Sequence, residues 1–358
     1  MRVLAALSGG VDSSVAAALL HEDGHEVVAV TMKLWGGESD TGCCSVSEVE
    51  DARRAAAQLN LDHHVFNFGE EFEKHVVAPY VSDHAAGRTP NPCVECNRHL
   101  KFDVLLRRAE LLGYEAVATG HHARIVTLLD GSRRIARGAD TAKDQSYVLY
   151  TLTAKELDSV MFPIGEMTKE QVRSHAEALH LRTAAKPDSQ DVCFITRASG
   201  RAAFLEQRIE LHPGRIQDQD GATLGTVSAV EVVTLGQRRG LHLAGGAAAR
   251  YVVDVDLPTA TVTVGGPEGL LCDELELENL VWAADAVEGV MNLQCSAHGA
   301  SLPATVTLES IGKGPAMVRV QWHEPHRRIA TGQSVVMYAD LETSTGLEEV
   351  VVGGGLVR

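Results

Sequence analysis

The chain has 358 residues, 45% of them hydrophobic and 22% charged, with a formal net charge of −16. At ~150 residues per domain this length implies two or three domains, each able to bury a core without disulfide staples. The composition excludes a disordered chain, and no apolar run approaches the ~18 residues of a membrane helix. The acidic balance argues against sequence-blind adhesion to nucleic acid.

The first apolar run, Val3–Leu7, is too short for a secretion signal, so a soluble, cytoplasmic protein with no membrane partner is expected. Seven cysteines (Cys43, Cys44, Cys93, Cys96, Cys193, Cys272 and Cys295) read as thiols, not as a secreted disulfide framework.

In chain order, strand-like runs at Val3–Leu7, Val27–Met32, His64–Phe68 and Ala116–Thr119 alternate with helical patterns at Ser13–Glu22, Val46–Leu59 and Leu100–Leu112. This predicts an α/β unit, a parallel sheet covered by helices, over residues 1–205. Lys169–Leu181 reads as one more helix. After His212-Pro213-Gly214 the pattern changes to short alternating runs, including Tyr251–Val255, Thr261–Val264, Met317–Trp322 and Ser334–Tyr338. Two small β-rich modules are expected, at 206–275 and 276–358.

The segment Ser8-Gly9-Gly10-Val11-Asp12-Ser13-Ser14 sits directly between the first strand and the first helix. Its glycines let backbone N–H groups approach an anion, and the helix N-terminus adds its positive dipole end. A capped helix after a glycine turn is the bland alternative, but it leaves most of the seven residues unexplained. No lysine follows the glycines, so this is not the loop of the common ATPases.

Two further segments carry thiols in polar surroundings. Asn91-Pro92-Cys93-Val94-Glu95-Cys96 precedes a helix, and Asp188-Ser189-Gln190-Asp191-Val192-Cys193 lies about a hundred residues on. A thiolate near a helix N-terminus or a cation is a competent nucleophile. Cys272 and Cys295 read as small buried hydrophobes.

The first loop resembles the pyrophosphate loop of the ATP-pyrophosphatase enzymes, with a Rossmann-like adenine-nucleotide domain. With the two cysteine segments, Thr119-Gly120-His121, Lys143-Asp144-Gln145, Thr234–Leu241 and Gly332-Gln333-Ser334, the whole chain is similar to the bacterial tRNA-specific 2-thiouridylases. Members adenylate the O2 of the wobble uridine, release pyrophosphate and replace AMP with sulfur. In that family the last module is a β-barrel.

The resemblance implies roles for individual residues. Ala6, Leu7, Ser8, Gly9, Gly10, Val11, Asp12 and Ser13 would hold ATP with magnesium, with Met32 and Gly120 against the adenosine. Cys193 would carry a persulfide received from a sulfur relay protein or a cysteine desulfurase. Cys96 would be the nucleophile that attacks it, leaving a Cys96–Cys193 disulfide. Asn91, Pro92 and Cys93 would border the flipped uridine. His121, Lys143, Asp144, Gln145 and Gln333 would touch tRNA. No resident metal is expected on this reading.

Two departures stand out. Many relatives have Asp where this chain has Cys93, and often Arg-Tyr near His298-Gly299. The general acid–base role of that Asp is therefore not transferred. Cys93, Cys96 and Cys193 offer three thiolates, so an iron–sulfur cluster ranks second to persulfide chemistry, and a zinc site drawing on Cys43 or Cys44 ranks third. An amidating synthetase is the nearest other enzyme, but it needs neither Cys96 nor Cys193. Arg133-Arg134, Arg238-Arg239 and Arg327-Arg328 are candidates for a local basic stripe.

Overall fold

Strand β1 (Arg2–Ala6) is the third strand of a parallel sheet ordered β3-β2-β1-β4-β7, with β2 at Glu26–Lys33, β3 at His63–Asn67, β4 at Ala116–Ala118 and β7 at Val160–Met161. All four pairings are parallel. Helices cover both faces, so central residues such as Val3, Leu4, Ala29 and Val117 are fully buried and the strands read as continuous apolar runs. The computed structural model describes residues 1–34, 46–188, 192–195, 200–243, 249–309 and 316–358.

In this order β1 is flanked by β2 on one side and β4 on the other. The connections leaving β1 and β4 therefore open a crevice beyond their carboxyl ends, the switch point where an open α/β sheet binds ligands. Helix α1 (Val11–Glu22) follows β1 there, and Gly120 and His121 follow β4.

Strands β8 (Gly214–Asp218), β9 (Thr223–Val227), β10 (Tyr251–Asp256) and β11 (Thr261–Gly265) form a four-stranded sheet ordered β10-β11-β8-β9. Ile216, Val230, Leu241, Val252, Val262 and Val264 fill its core. The last module runs β12 (Leu271–Trp282), β13 (Gly289–Gln294), β14 (Ser301–Glu309), β15 (Met317–Arg327), β16 (Ser334–Thr343) and β17 (Gly346–Val357). Antiparallel pairing of β12 with β17 closes these six into a barrel, which leaves no free edge.

Two expectations need correction. A boundary at 275 falls inside β12, and a continuous strand is not divided between modules, so the barrel begins at Leu271. The first 205 residues also do more than form the parallel sheet. Their hairpin, β5 (Ala123–Thr127) and β6 (Arg133–Arg137), joins the barrel's sheet through Ala136 against Val350. Arg124 ties it down with paired contacts to Glu348 of 3.0 and 2.5 Å. Among the described residues, no helix is long and apolar enough to cross a membrane.

Candidate functional site

The loop after β1 is built from its own side chains. Ser13 Oγ accepts from the Ser8 N–H at 3.1 Å and donates to the Gly10 carbonyl at 3.2 Å, and Ser14 Oγ donates to the same carbonyl at 2.9 Å. Gly9 is at φ +76°, a conformation that favours glycine, and a Cβ there would stand 2.5 Å from the Glu48 carbonyl oxygen. Gly120 is required for a different reason. A Cβ on it would lie 2.5 Å from the Ser13 nitrogen and 2.6 Å from the Asp12 carbonyl carbon. Only glycine lets the end of β4 rest against the first turn of α1.

Asp12 is the loop's carboxylate. Lys169 reaches both of its oxygens at 2.7 Å and His122 Nε2 approaches at 3.3 Å. Burial alone would raise its pKa, but the hydrogen bonds from His122 and Lys169 outweigh that and hold it below the usual carboxylate range. Lys169 also meets Asp188 at 2.8 Å, which Lys143 (2.8 Å) and Arg173 (2.9 Å) contact too. Lys186 donates to the Gly9 carbonyl at 3.0 Å. Lys169, Lys186 and His122 were not among the residues marked by the motifs. They approach the loop from segments more than a hundred residues away, and no spacing rule connects them to it.

Asn91 accepts a hydrogen bond from the Cys93 N–H at 3.1 Å, which starts the helical stretch 92–111. Pro92 is buried at its first position, where a missing N–H costs nothing. Cys93 is exposed on this first turn, and Cys96 is buried. From Cys96 to Val104 the helix is wound wider, with i→i+5 turns. Such π segments often occur at functional sites.

Cys96 is part of the cluster formed by Leu4, Val30, Phe72, Tyr80, Leu100 and Phe194, and Cys193 and Met32 pack against that same cluster. Phe194, next to Cys193, makes T-shaped contacts with Phe72 at 5.6 Å and Tyr80 at 5.3 Å. The two cysteines and the methionine expected at the adenosine thus share one apolar cluster. Cys43, Cys44, Ser189, Gln190 and Asp191 lie outside the described residues.

Other expected contacts turn inward. His121 is buried between Phe102 and Phe162, with Nδ1 2.6 Å from the Thr119 hydroxyl and Nε2 3.4 Å from the Lys101 ammonium. Burial first, then the charges of Lys101 and His122, push its pKa well down, so the ring is neutral and accepts from Lys101. Asp144 receives Arg137 at 3.0 Å, the Ser146 hydroxyl at 2.7 Å and the Gly138 N–H at 2.8 Å. Its carboxylate is spent inside the protein. Gln145 accepts from the His122 N–H at 2.9 Å, and Gln333 donates to the Thr89 carbonyl.

The basic doublets divide. Arg134 is buried, so Arg133-Arg134 is not a surface stripe. Arg327 and Arg328 donate to the carbonyls of Gly236 and Val253, joining the barrel to the central module. Arg238 and Arg239 are exposed.

Cys93 is exposed on the first turn, Cys96 is buried in the core and Cys193 is partly exposed. Among the described residues no group of three or more His, Cys, Asp or Glu side chains converges on a metal position.

Residues 1–197 match the family model described as tRNA methyl transferase HUP domain, 202–266 a tRNA methyl transferase PRC-barrel domain, and 272–357 an aminomethyltransferase beta-barrel domain. The chain is 45% identical over 349 residues to the tRNA-specific 2-thiouridylase MnmA of Beutenbergia cavernae, covering 94% of this chain and 92% of that protein. It is 42% identical over 370 residues to the tRNA-specific 2-thiouridylase MnmA of Carboxydothermus hydrogenoformans, covering 100% and 97%. For the protein of the same name in Mycobacteroides abscessus the identity is 44%, with 94% and 95% covered.

Proposed function

The chain belongs to the tRNA-specific 2-thiouridylase family, and from that premise we propose that it uses ATP to exchange O2 of the wobble uridine of tRNA for sulfur. The observation that carries this reading is the one apolar cluster that Met32, Cys96 and Cys193 share. An amidating synthetase needs the loop but gives the two cysteines nothing to do.

The C2 carbonyl of uracil is amide-like, and oxide is a poor leaving group. Transfer of AMP from ATP to O2 breaks the α–β phosphate bond, releases pyrophosphate and makes the oxygen part of a good leaving group. The N–H groups of the loop and of the α1 N-terminus receive the charge of the departing pyrophosphate. Magnesium enters with ATP as part of the substrate, and no step depends on a metal held by the protein. Met32 and Gly120 border the adenosine.

Sulfur arrives on Cys193 as a persulfide from a sulfur relay protein or a cysteine desulfurase. The Cys96 thiolate attacks Sγ of Cys193, forming a disulfide and expelling hydrosulfide. That hydrosulfide adds to C2 of the adenylated base, AMP leaves with the oxygen, and a proton is lost. A dithiol reductant returns the disulfide to two thiols. The uridine turns out of a single-stranded anticodon loop at modest cost and meets Asn91, Pro92 and Cys93. Lys143 and the exposed Gln145 would meet the tRNA, with His121, Asp144 and Gln333, whose polar groups are engaged within the protein, holding that surface from within.

The test is nucleoside mass spectrometry of unmodified tRNA incubated with iron-free protein, Mg-ATP and a persulfide donor, with Cys193→Ser alongside. The expected result is 2-thiouridine from the wild type and none from the variant. Product that appears only after iron and sulfide are restored would replace the persulfide route with a cluster.

A further inference from the structure

The loop Ser8–Ser14 contains no lysine, although the polyphosphate it would receive carries several negative charges. Countercharge must come from elsewhere in the fold. Among the described residues two ammonium groups reach the loop. Lys186 sits on the Gly9 carbonyl and against Asp51 at 2.9 Å. Lys169, the first residue of the helix Lys169–Ala178, joins Asp12 to Asp188, and its side chain is only 12% exposed.

The two carboxylates on Lys169 are not equivalent. Asp188 is touched by three cations and keeps Lys143 and Arg173 if Lys169 leaves. Among the described residues Asp12 would keep only His122, and a poorly neutralised carboxylate beside the loop would repel an incoming phosphate. The ammonium can therefore give up Asp188 at small cost, but not Asp12. The helix that carries Lys169 is anchored for this: Thr168 and Gln171 form a capping box, and the Lys169 N–H is held by Asp140 at 2.8 Å.

We propose that Lys169 is the residue that grips the polyphosphate of ATP, staying on Asp12 while it exchanges the Asp188 carboxylate for a phosphate oxygen. Asp188 and the phosphate compete for one ammonium. Lys169 forms no covalent bond; it stabilises charge on the pyrophosphate as the α–β bond breaks. The inference rests on the ATP-dependent reading above.

Calorimetric titration of the full-length protein with Mg-ATP, without tRNA, tests it on wild type, Lys169→Met, Lys169→Arg and Asp188→Asn. Melting curves without nucleotide run in parallel. Lys169→Met should weaken ATP binding by roughly tenfold or more, with part recovered in Lys169→Arg. Asp188→Asn should bind ATP as tightly as wild type or more tightly, even where its melting temperature falls, because the competing anion is gone. A lysine that only pins the fold would not give that split.

Wild-type affinity in Lys169→Met would overturn the inference and leave the functional reading standing. So would an Asp188→Asn loss as large as that of Lys169→Met. If Lys169→Met does not fold, the sign of the Asp188→Asn effect still decides. Absence of ATP binding by the wild type would overturn both the inference and the ATP-dependent reading.

Discussion

Gln333, in the turn before β16, donates its side-chain amide to the main-chain carbonyl of Thr89 at 2.5 Å. The Thr89 N–H is bound on its other side by the Thr331 carbonyl at 2.8 Å. The barrel therefore holds both polar groups of one residue, two positions before Asn91, which caps the turn carrying Cys93 and Cys96. Through this contact the last module reaches the proposed nucleophile.

Gln333→Ala should slow single-turnover thiolation severalfold while leaving ATP affinity unchanged, because the Ser8–Ser14 loop is held by Lys169, His122 and Lys186 and not through Gln333. The lost hydrogen bond costs about 1 kcal/mol of stability. A wild-type thiolation rate would remove Gln333 from both tRNA contact and positioning.

Arg137 is a further link between the hairpin and the barrel, beside Arg124 and the Ala136–Val350 pairing. Its guanidinium stacks 3.5 Å over the Tyr338 ring and reaches Asp144 at 3.0 Å and Glu349 at 2.7 Å. The Asp144 side chain is 8% exposed, so Arg137→Ala would leave a buried carboxylate short of its cation. A loss of about 3–5 kcal/mol in denaturant unfolding is expected. Arg137→Ala together with Asp144→Asn should recover part of it, and no recovery would show that the cost lies in the stacking on Tyr338.

Stability should fall as pH drops below about 6.5. His63, His84, His99 and His121 all have lowered pKa values, each mainly because burial disfavours the charged ring. Between the folded value and the ordinary 6.5 the unfolded chain binds protons that the fold refuses, so protonation favours unfolding. For the buried pair His84 and His121 the slope is at most about 1.4 kcal/mol per pH unit each. Asp12 and Asp188, both lowered, add a second loss below the ordinary carboxyl value of 3.8. His212, raised by Glu231, works the other way: its contribution is full below 6.5 and fades as pH rises through the folded value. Melting at pH 7.5 and 5.5 checks the balance. His84→Gln should flatten the dependence, and an unchanged slope would remove His84 from it.

Arg238 and Arg239 are exposed, whereas Arg327 and Arg328, exposed as well, are engaged with the Gly236 and Val253 carbonyls. Replacing Arg238 and Arg239 with Glu should weaken tRNA binding, and the slope of log affinity against log salt should flatten by roughly 0.7–0.9 per lost phosphate contact. Binding that is unchanged at low salt would place the tRNA surface elsewhere.

Much of the site was legible because its chemistry is local. The serine hydroxyls of Ser8–Ser14 form their hydrogen bonds within the loop, so seven consecutive residues specify its shape. The parallel strands were legible because burial on both faces leaves unbroken apolar runs. The hairpin Ala123–Arg137 was not, since four of its ten strand residues are arginines, two of them with partners far along the chain: Glu348 for Arg124 and Glu349 for Arg137.

The sequence by itself determined the class of the nucleotide loop, the family, and the order of an α/β unit followed by two β modules, and it singled out the two cysteines proposed for the sulfur chemistry. Each depends on residues close together in the chain, where spacing and hydrogen bonding are linked. Only the tertiary structure decided that Lys169 and His122 share Asp12, that Asp144 serves Arg137, and that Gln333 grips Thr89. Those contacts depend on how distant elements pack. A charge at position 169 becomes the neighbour of a loop at position 12 only when its helix settles beside α1.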